Sequence, residues 1–249
     1  MASLSNSSNR CGSSFLRIAA AFVSQPGLPF SEVLSAERIE RIFTKHGNLF
    51  GTWGIYSTAV MVWSFLGQVL RDGKEASCQS AVARVVVHCQ QQGTATPTAD
   101  TGDYRKARAK LSEAALRDLS CEVAGEMEKR ADASWLWKDM HAKLIDGFTF
   151  TMPDTPENQR KYPQQKAQKP GVGLPIARVV TIVSLATACM VDAAIGTYKG
   201  KRTGEPALLR SIMSSLLRGD LAVVDRCYCS FRMIALTLGQ GAHVCAGMH

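Results

Sequence analysis

The run Lys143-Leu144-Ile145-Asp146-Gly147-Phe148-Thr149-Phe150-Thr151-Met152-Pro153-Asp154-Thr155-Pro156-Glu157-Asn158-Gln159 changes character halfway along. Leu144 and Ile145 deliver Asp146 onto Gly147, and alternating Phe148, Thr149, Phe150 and Thr151 follow, a period-2 pattern that predicts a strand. Pro153 and Pro156 then each fix their own φ and remove a donor, so no ladder continues and a rigid polar loop is expected. An aspartate beside a glycine is most often a turn residue. Asp146 becomes a functional candidate only if the rest of the chain supplies it with a partner.

Downstream, strand-like runs occur at 176–184, 189–196 and 221–225, with a weaker one at 242–246. Helical patterns occupy 204–217 and 230–238. Three strands in succession favour an antiparallel meander, and strands separated by helices favour parallel crossovers. A mixed α/β (α+β) architecture follows, one sheet covered by helices. Within it Asp225 closes Leu221-Ala222-Val223-Val224 as Asp146 closes Leu144-Ile145, with 225 − 146 = 79 residues between them. If the first and fourth strands are neighbours, the two carboxylates meet at one edge. Such a pair repels itself unless a divalent cation sits between, and hard cations such as magnesium prefer carboxylate oxygens. The ordinary alternative is two strand-end aspartates bonded to loop amides.

The loop after Asp146 is cationic. Between Asn158 and Val191 stand Arg160, Lys161, Lys166, Lys169 and Arg178 and no acid, and Lys199, Lys201 and Arg202 add a second basic turn. Gly196-Thr197-Tyr198-Lys199-Gly200-Lys201-Arg202-Thr203 has its glycines one residue too close for a phosphate-binding loop. Glu205 reads as a first-turn helix residue favoured by the dipole.

Upstream, residues 1–34 form an expected flexible leader, rich in Ser, Asn and Gly. Helical periodicity then runs through 35–132, an expected all-helical domain. Tyr104, Arg105, Lys106, Arg108 and Lys110 place four cations and a ring within seven residues, a segment that could grip phosphates or equally form a solvated helix face.

The whole chain has 249 residues, 46% of them hydrophobic and 20% charged, with a net charge of +8. Polyanions are therefore the first class of partner, nucleic acid ahead of membrane surfaces. The longest apolar runs, 59–70 and 179–191, fall short of the roughly 20 residues that span a bilayer. Arg17 interrupts the only candidate signal-peptide core, so a cytoplasmic chain is expected. Eight cysteines lack Cys-x-x-Cys spacing and the density of a disulfide scaffold.

A family likeness rests on several separated motifs in order. These are Asp146-Gly147 with Met152-Pro153-Asp154-Thr155-Pro156-Glu157-Asn158-Gln159, Tyr162-Pro163-Gln164, Gln168-Lys169-Pro170-Gly171, Gly200-Lys201 with Thr203-Gly204-Glu205, and Asp225-Arg226 with Tyr228-Cys229-Ser230. Together they resemble the bacterial insertion-sequence DDE transposases, in the insertion sequence four branch. The resemblance implies a helical DNA-binding domain at 35–132 and a ribonuclease H-like core at 133–249. It implies that Asp146 and Asp225 are the first two of three acids holding two Mg2+ or Mn2+ ions for DNA cleavage and strand transfer. It further implies double-stranded transposon ends as substrate, a homodimer on DNA, nucleoid association when bound, and no membrane. Tyr104, Arg105, Arg108, Arg160, Lys161, Lys166, Lys169, Lys201, Arg202, Arg226 and Tyr228 become the DNA-contact candidates. The family's third acid is a glutamate in a Tyr-x-x-Arg-x-x-x-Glu helix, and no Asp or Glu follows Asp225 here. The expectation is accordingly a transposase truncated at its C-terminus and impaired in its metal site. The alternatives are a non-catalytic DNA-binding remnant and a helical interaction module.

Overall fold

The computed structural model describes residues 17–165, 167, 169 and 171–247, and the chain divides after Leu116 into two compact units. In the first unit a helical stretch over 17–23 is followed by α1 (Phe30–Val33), α2 (Ala36–Lys45), α3 (Thr58–Val69), α4 (Cys78–Gln91) and α5 (Gly102–Arg108). Serine starts three of them. Ser35 accepts from the Arg38 amide, Ser57 from Val60 and Ser77 from Ser80, each satisfying an amide that the first helical turn leaves unpaired. Met61, Ala81, Val82, Tyr104 and Ala107 close a common core, so α3, α4 and α5 bury their apolar stripes against one another.

Two expectations shift here. The leader packs from its later part onward, because Leu28 and Leu34 are buried and Trp63 Nε1 donates to the Leu34 carbonyl at 2.8 Å. Residues 1–16 lie outside the described residues. The helical stretch expected to end one domain at 132 also crosses the division. Helix α6 (Glu113–Lys129) begins in the first unit and runs into the second.

The second unit is built on a five-stranded sheet of order β3-β2-β1-β4-β5, with β1 Ala142–Thr151, β2 Ile176–Ser184, β3 Met190–Thr197, β4 Leu221–Val224 and β5 His243–Ala246. β1, β2 and β3 form an antiparallel meander, while β4 lies parallel to β1 and β5 parallel to β4. Helices α8 (Glu205–Ile212) and α9 (Phe231–Gly239) supply the crossovers. This mixed sheet with flanking helices is consistent with a ribonuclease H-like fold.

Strand alternation sorts the side chains of β1 between two faces. Ile145 joins Val180, Ile182, Ala194 and Ala222 beneath Leu209, Ile212, Met213 and Leu216, and this is the core. Leu144, Asp146, Phe148 and Phe150 alternate onto the other face, where the three apolar members are 37–52% exposed.

At the far end of the sheet α6 is pinned by buried charge. Lys143 pairs with Glu128, and Arg117 grips the buried Asp192 of β3 through Nε at 2.6 Å and Nη2 at 2.7 Å. The segment after Thr151 is not wholly a loop. Helix α7 (Pro156–Lys161) forms there because Thr155 Oγ1 caps the Asn158 amide and Pro156 occupies the first turn, where its missing N–H costs nothing. Among the described residues no helix is long and apolar enough to cross a membrane.

Candidate functional site

The parallel ladder between β1 and β4 pairs Ala142 with Leu221, Lys143 with Ala222, Leu144 with Val223 and Ile145 with Val224. The next residue on each strand is an aspartate, Asp146 on β1 and Asp225 just beyond β4. Neighbouring strands lie about 4.8 Å apart, so the register sets the two acids side by side at the edge expected from the sequence. Both are exposed. Asp225 also caps the turn that follows it, its Oδ1 accepting from the Cys227 amide at 2.9 Å, and Asp146 Oδ1 accepts from the Gly147 amide at 2.7 Å. The loop-amide role offered as the ordinary alternative is therefore real for Asp225, whereas Asp146 bonds to an amide of its own strand. Either bond leaves its carboxylate one further oxygen.

A third carboxylate stands close by. Glu205, the first residue of α8, accepts from Cys227 Sγ and from the Tyr228 hydroxyl, both at 3.3 Å through Oε2. Its side chain also fills the space a Cβ at Gly147 would need, 2.4 Å from that position to Glu205 Cδ. Burial pushes the Cys227 thiol up, and the charges of Asp225 and Glu205 push it further. Burial likewise raises the Tyr228 phenol, followed by the charges of Glu205, Cys227 and Asp146.

Sequence reasoning gave Glu205 only a dipole role. A signal was available in Gly147, because a glycine inside a strand commonly marks the close approach of another group. Among the described residues no three potential ligands gather in metal-binding geometry. The donor set that remains is two exposed carboxylates on adjacent strands. That suits magnesium, which binds through one or two carboxylates and completes its octahedron with water and substrate phosphate.

The cationic candidates separate into two groups. Arg160 and Lys161 on α7, Lys169, Lys201, Arg202 and Arg226 are exposed. Their segments leave the C-terminal ends of β1, β3 and β4 or lead into β2, which is the Asp146 and Asp225 end of the sheet. Lys166 lies outside the described residues.

Tyr228 and Tyr104 do not offer rings to a partner. Tyr228 is 2% exposed within the core, and Tyr104 is fully buried with its hydroxyl donating to Gln68 Oε1 at 2.7 Å. Arg108 donates to the same oxygen at 3.0 Å and lies over the Tyr104 ring, so its head group is engaged internally. Arg105 is exposed on the same helix.

No protein-family model matches the chain. Among curated proteins it is similar to the transposase InsG for insertion sequence element IS4 of Escherichia coli (strain K12), 23% identical over 218 residues that make up 88% of this chain and 47% of that protein. The chain therefore spans about half the length of the relative it matches. The similarity supports a distant relationship to a transposase.

Proposed function

We propose that this chain belongs to the machinery of DNA transposition and that its second unit is a metal-dependent site for phosphodiester chemistry on double-stranded DNA. The observation that carries the reading is the β1–β4 register, whose last pair, Ile145 with Val224, is followed on each strand's chain by an aspartate, Asp146 and Asp225. The distant likeness to a transposase supports it independently. Asp146 and Asp225 would hold Mg2+ or Mn2+, which when bound activates the attacking oxygen and offsets charge at the scissile phosphate. Arg226, directly after Asp225, and the exposed Lys201 and Arg202 would bind backbone phosphate and orient the strand. Arg160, Lys161 and Lys169 would extend that track, and Arg105 would be a separate phosphate contact of the first unit. Pairing of two chains on DNA, as two-ended chemistry requires, belongs to the same reading.

The test is a Mn2+ titration of the 249-residue chain alongside Asp146→Asn and Asp225→Asn, with binding to duplex DNA measured across a salt series. The reading expects both substitutions to abolish Mn2+ binding and leave DNA affinity within a few fold of wild type. It expects that affinity to fall linearly on a log–log salt plot. Mn2+ binding unchanged in both variants would refute the metal site. Retained binding to DNA by a chain without metal affinity would favour a DNA-binding role without catalysis.

A further inference from the structure

The regular ladder stops at Ile145 and Val224, one residue short of the two aspartates. The two aspartates are thus not themselves a ladder pair, and their side chains lie beyond the last paired residues. Asp225 opens the 3-10 turn Arg226–Tyr228, and such a turn at a strand end is free to swing unless something holds it. Tyr228 anchors one end of it in the core, and Glu205 bonds to it beside Asp225. Its Oε2 accepts from Cys227 Sγ and the Tyr228 hydroxyl, both on that turn, while its Cγ and Cδ lie against Gly147, the residue after Asp146. One side chain thus touches the segments carrying both acids.

We propose that Glu205 is a positioning residue that sets the spacing of Asp146 and Asp225, an inference that rests on reading those two as the cation-holding pair. Alternation places Gly147, and the Glu205 side chain against it, on the helix-covered face of β1, whereas Asp146 turns to the opposite face. Glu205 therefore backs the site and does not reach into it. This agrees with the absence, among the described residues, of three ligands in metal-binding geometry.

Gly147 is the other half of the device. A Cβ there would come within 2.4 Å of Glu205 Cδ, 2.6 Å of Cγ and 2.8 Å of Oε2. Alanine at 147 would thus displace the carboxylate from the turn it holds. An acceptor oxygen is what the role requires, so glutamine can substitute and alanine cannot. Partners that orient metal ligands typically change metal affinity by about 10- to 100-fold when removed.

The test uses the full chain and Mn2+ alone as probe, measured calorimetrically for wild type, Glu205→Ala, Glu205→Gln, Gly147→Ala and the Gly147→Ala/Glu205→Ala double variant. Glu205→Ala is expected to weaken binding about tenfold. Glu205→Gln should recover most of that loss, and Gly147→Ala should weaken wild type but add nothing to Glu205→Ala. Hydrogen exchange at the Cys227 amide, which donates to Asp225, should accelerate in Glu205→Ala with or without metal. Glu205→Ala binding Mn2+ like wild type would overturn the inference. Glu205→Gln as weak as Glu205→Ala would overturn it in favour of direct ligation. A wild-type chain that binds no Mn2+ sinks the cation-holding reading itself, and the metal-free exchange at Cys227 then still decides whether Glu205 holds the turn.

Discussion

Replacing Arg117 by alanine tests how α6 is fastened to the sheet. The Asp192 carboxylate accepts from Arg117 Nε and Nη2 at 2.6 and 2.7 Å, from the Ala193 amide at 2.8 Å and from the Ser215 hydroxyl, and its side chain is 1% exposed. Removing Arg117 deletes two charge-assisted bonds and leaves a buried carboxylate with two neutral donors. Stripping the partner from a fully buried ion pair costs about 3–5 kcal/mol. The Arg117 side chain is 47% exposed, so water screens part of the pair and refills part of the gap. The expected loss is about 2 kcal/mol, below the fully buried range.

The pH dependence has a definite sign. Burial alone would raise the Asp192 carboxyl, but the bonds from Arg117 and Ser215 outweigh it and hold the group below its ordinary value. A carboxyl depressed in the folded state contributes stability that is complete above its unfolded value, near 3.9, and disappears as the pH falls through the lower folded value. The deficit of Arg117→Ala should therefore be full at pH 7 and shrink as the pH drops below about 4. Urea titrations followed by hydrogen exchange of β3 peptides isolate the second unit. A deficit under about 0.5 kcal/mol at pH 7, or one that widens on acidification, would refute the reasoning.

In the first unit, Gln68 Oε1 receives both the Tyr104 hydroxyl and Arg108, and its Nε2 donates to the Ala76 carbonyl at 2.8 Å. Gln68→Leu strands the buried Tyr104 hydroxyl and the half-buried Arg108 and should cost about 2–3 kcal/mol, whereas Tyr104→Phe leaves Arg108 in place and should cost about 1 kcal/mol. Chemical denaturation giving the reverse order would remove Gln68 from the centre of this core. On the open face of the sheet Phe148 is 52% exposed. Phe148→Thr should change stability by less than about 0.5 kcal/mol while lowering binding of a fluorescent hydrophobic dye. Unchanged dye fluorescence would place the sticky surface elsewhere. Lys143→Met leaves the half-buried Glu128 with Thr187 and His141; in the wild type burial raises its carboxyl, but hydrogen bonds, those of Lys143 first, outweigh it and hold it down. Thermal melts should show a loss of at least about 1 kcal/mol, and a rise in melting temperature would refute the pinning role of this pair.

The strands were legible because their signal is local. Apolar runs ended by Asp146 and Asp225 reveal themselves in four or five residues, and the alternation of helices and strands implies a mixed sheet. The parallel neighbourhood of β1 and β4 entered only as a condition, since no local feature of residues 79 apart states that they pair. Tyr104 shows the opposite failure. Its cationic neighbours invited a surface reading, yet Tyr104, Ala107 and Leu111 follow helical spacing, and it is that stripe which packs into the core. At Pro156, reading proline as a breaker missed that it sits where a helix begins and Thr155 can cap it. Glu205 stayed hidden because its role depends on a glycine 58 residues earlier, 205 − 147, and on a turn 21 residues later, 226 − 205.

The β1–β4 register also bears on the order in which the protein folds. The meander closes over short separations, whereas the contact between β1 and β4 joins residues 79 apart and carries the larger loop-closure entropy. The meander is expected to form first and β4 to dock late. Pulse-labelled hydrogen exchange should then protect Val180 and Ala194 before Ala222 and Val223, and simultaneous protection would contradict that order. Until β4 docks, β1 is an unpaired edge bearing Leu144 and Phe148, open to the β1 of another nascent chain. The two acids are thus brought together by the slowest event in folding, and the same delay is the interval in which the chain is most exposed to aggregation.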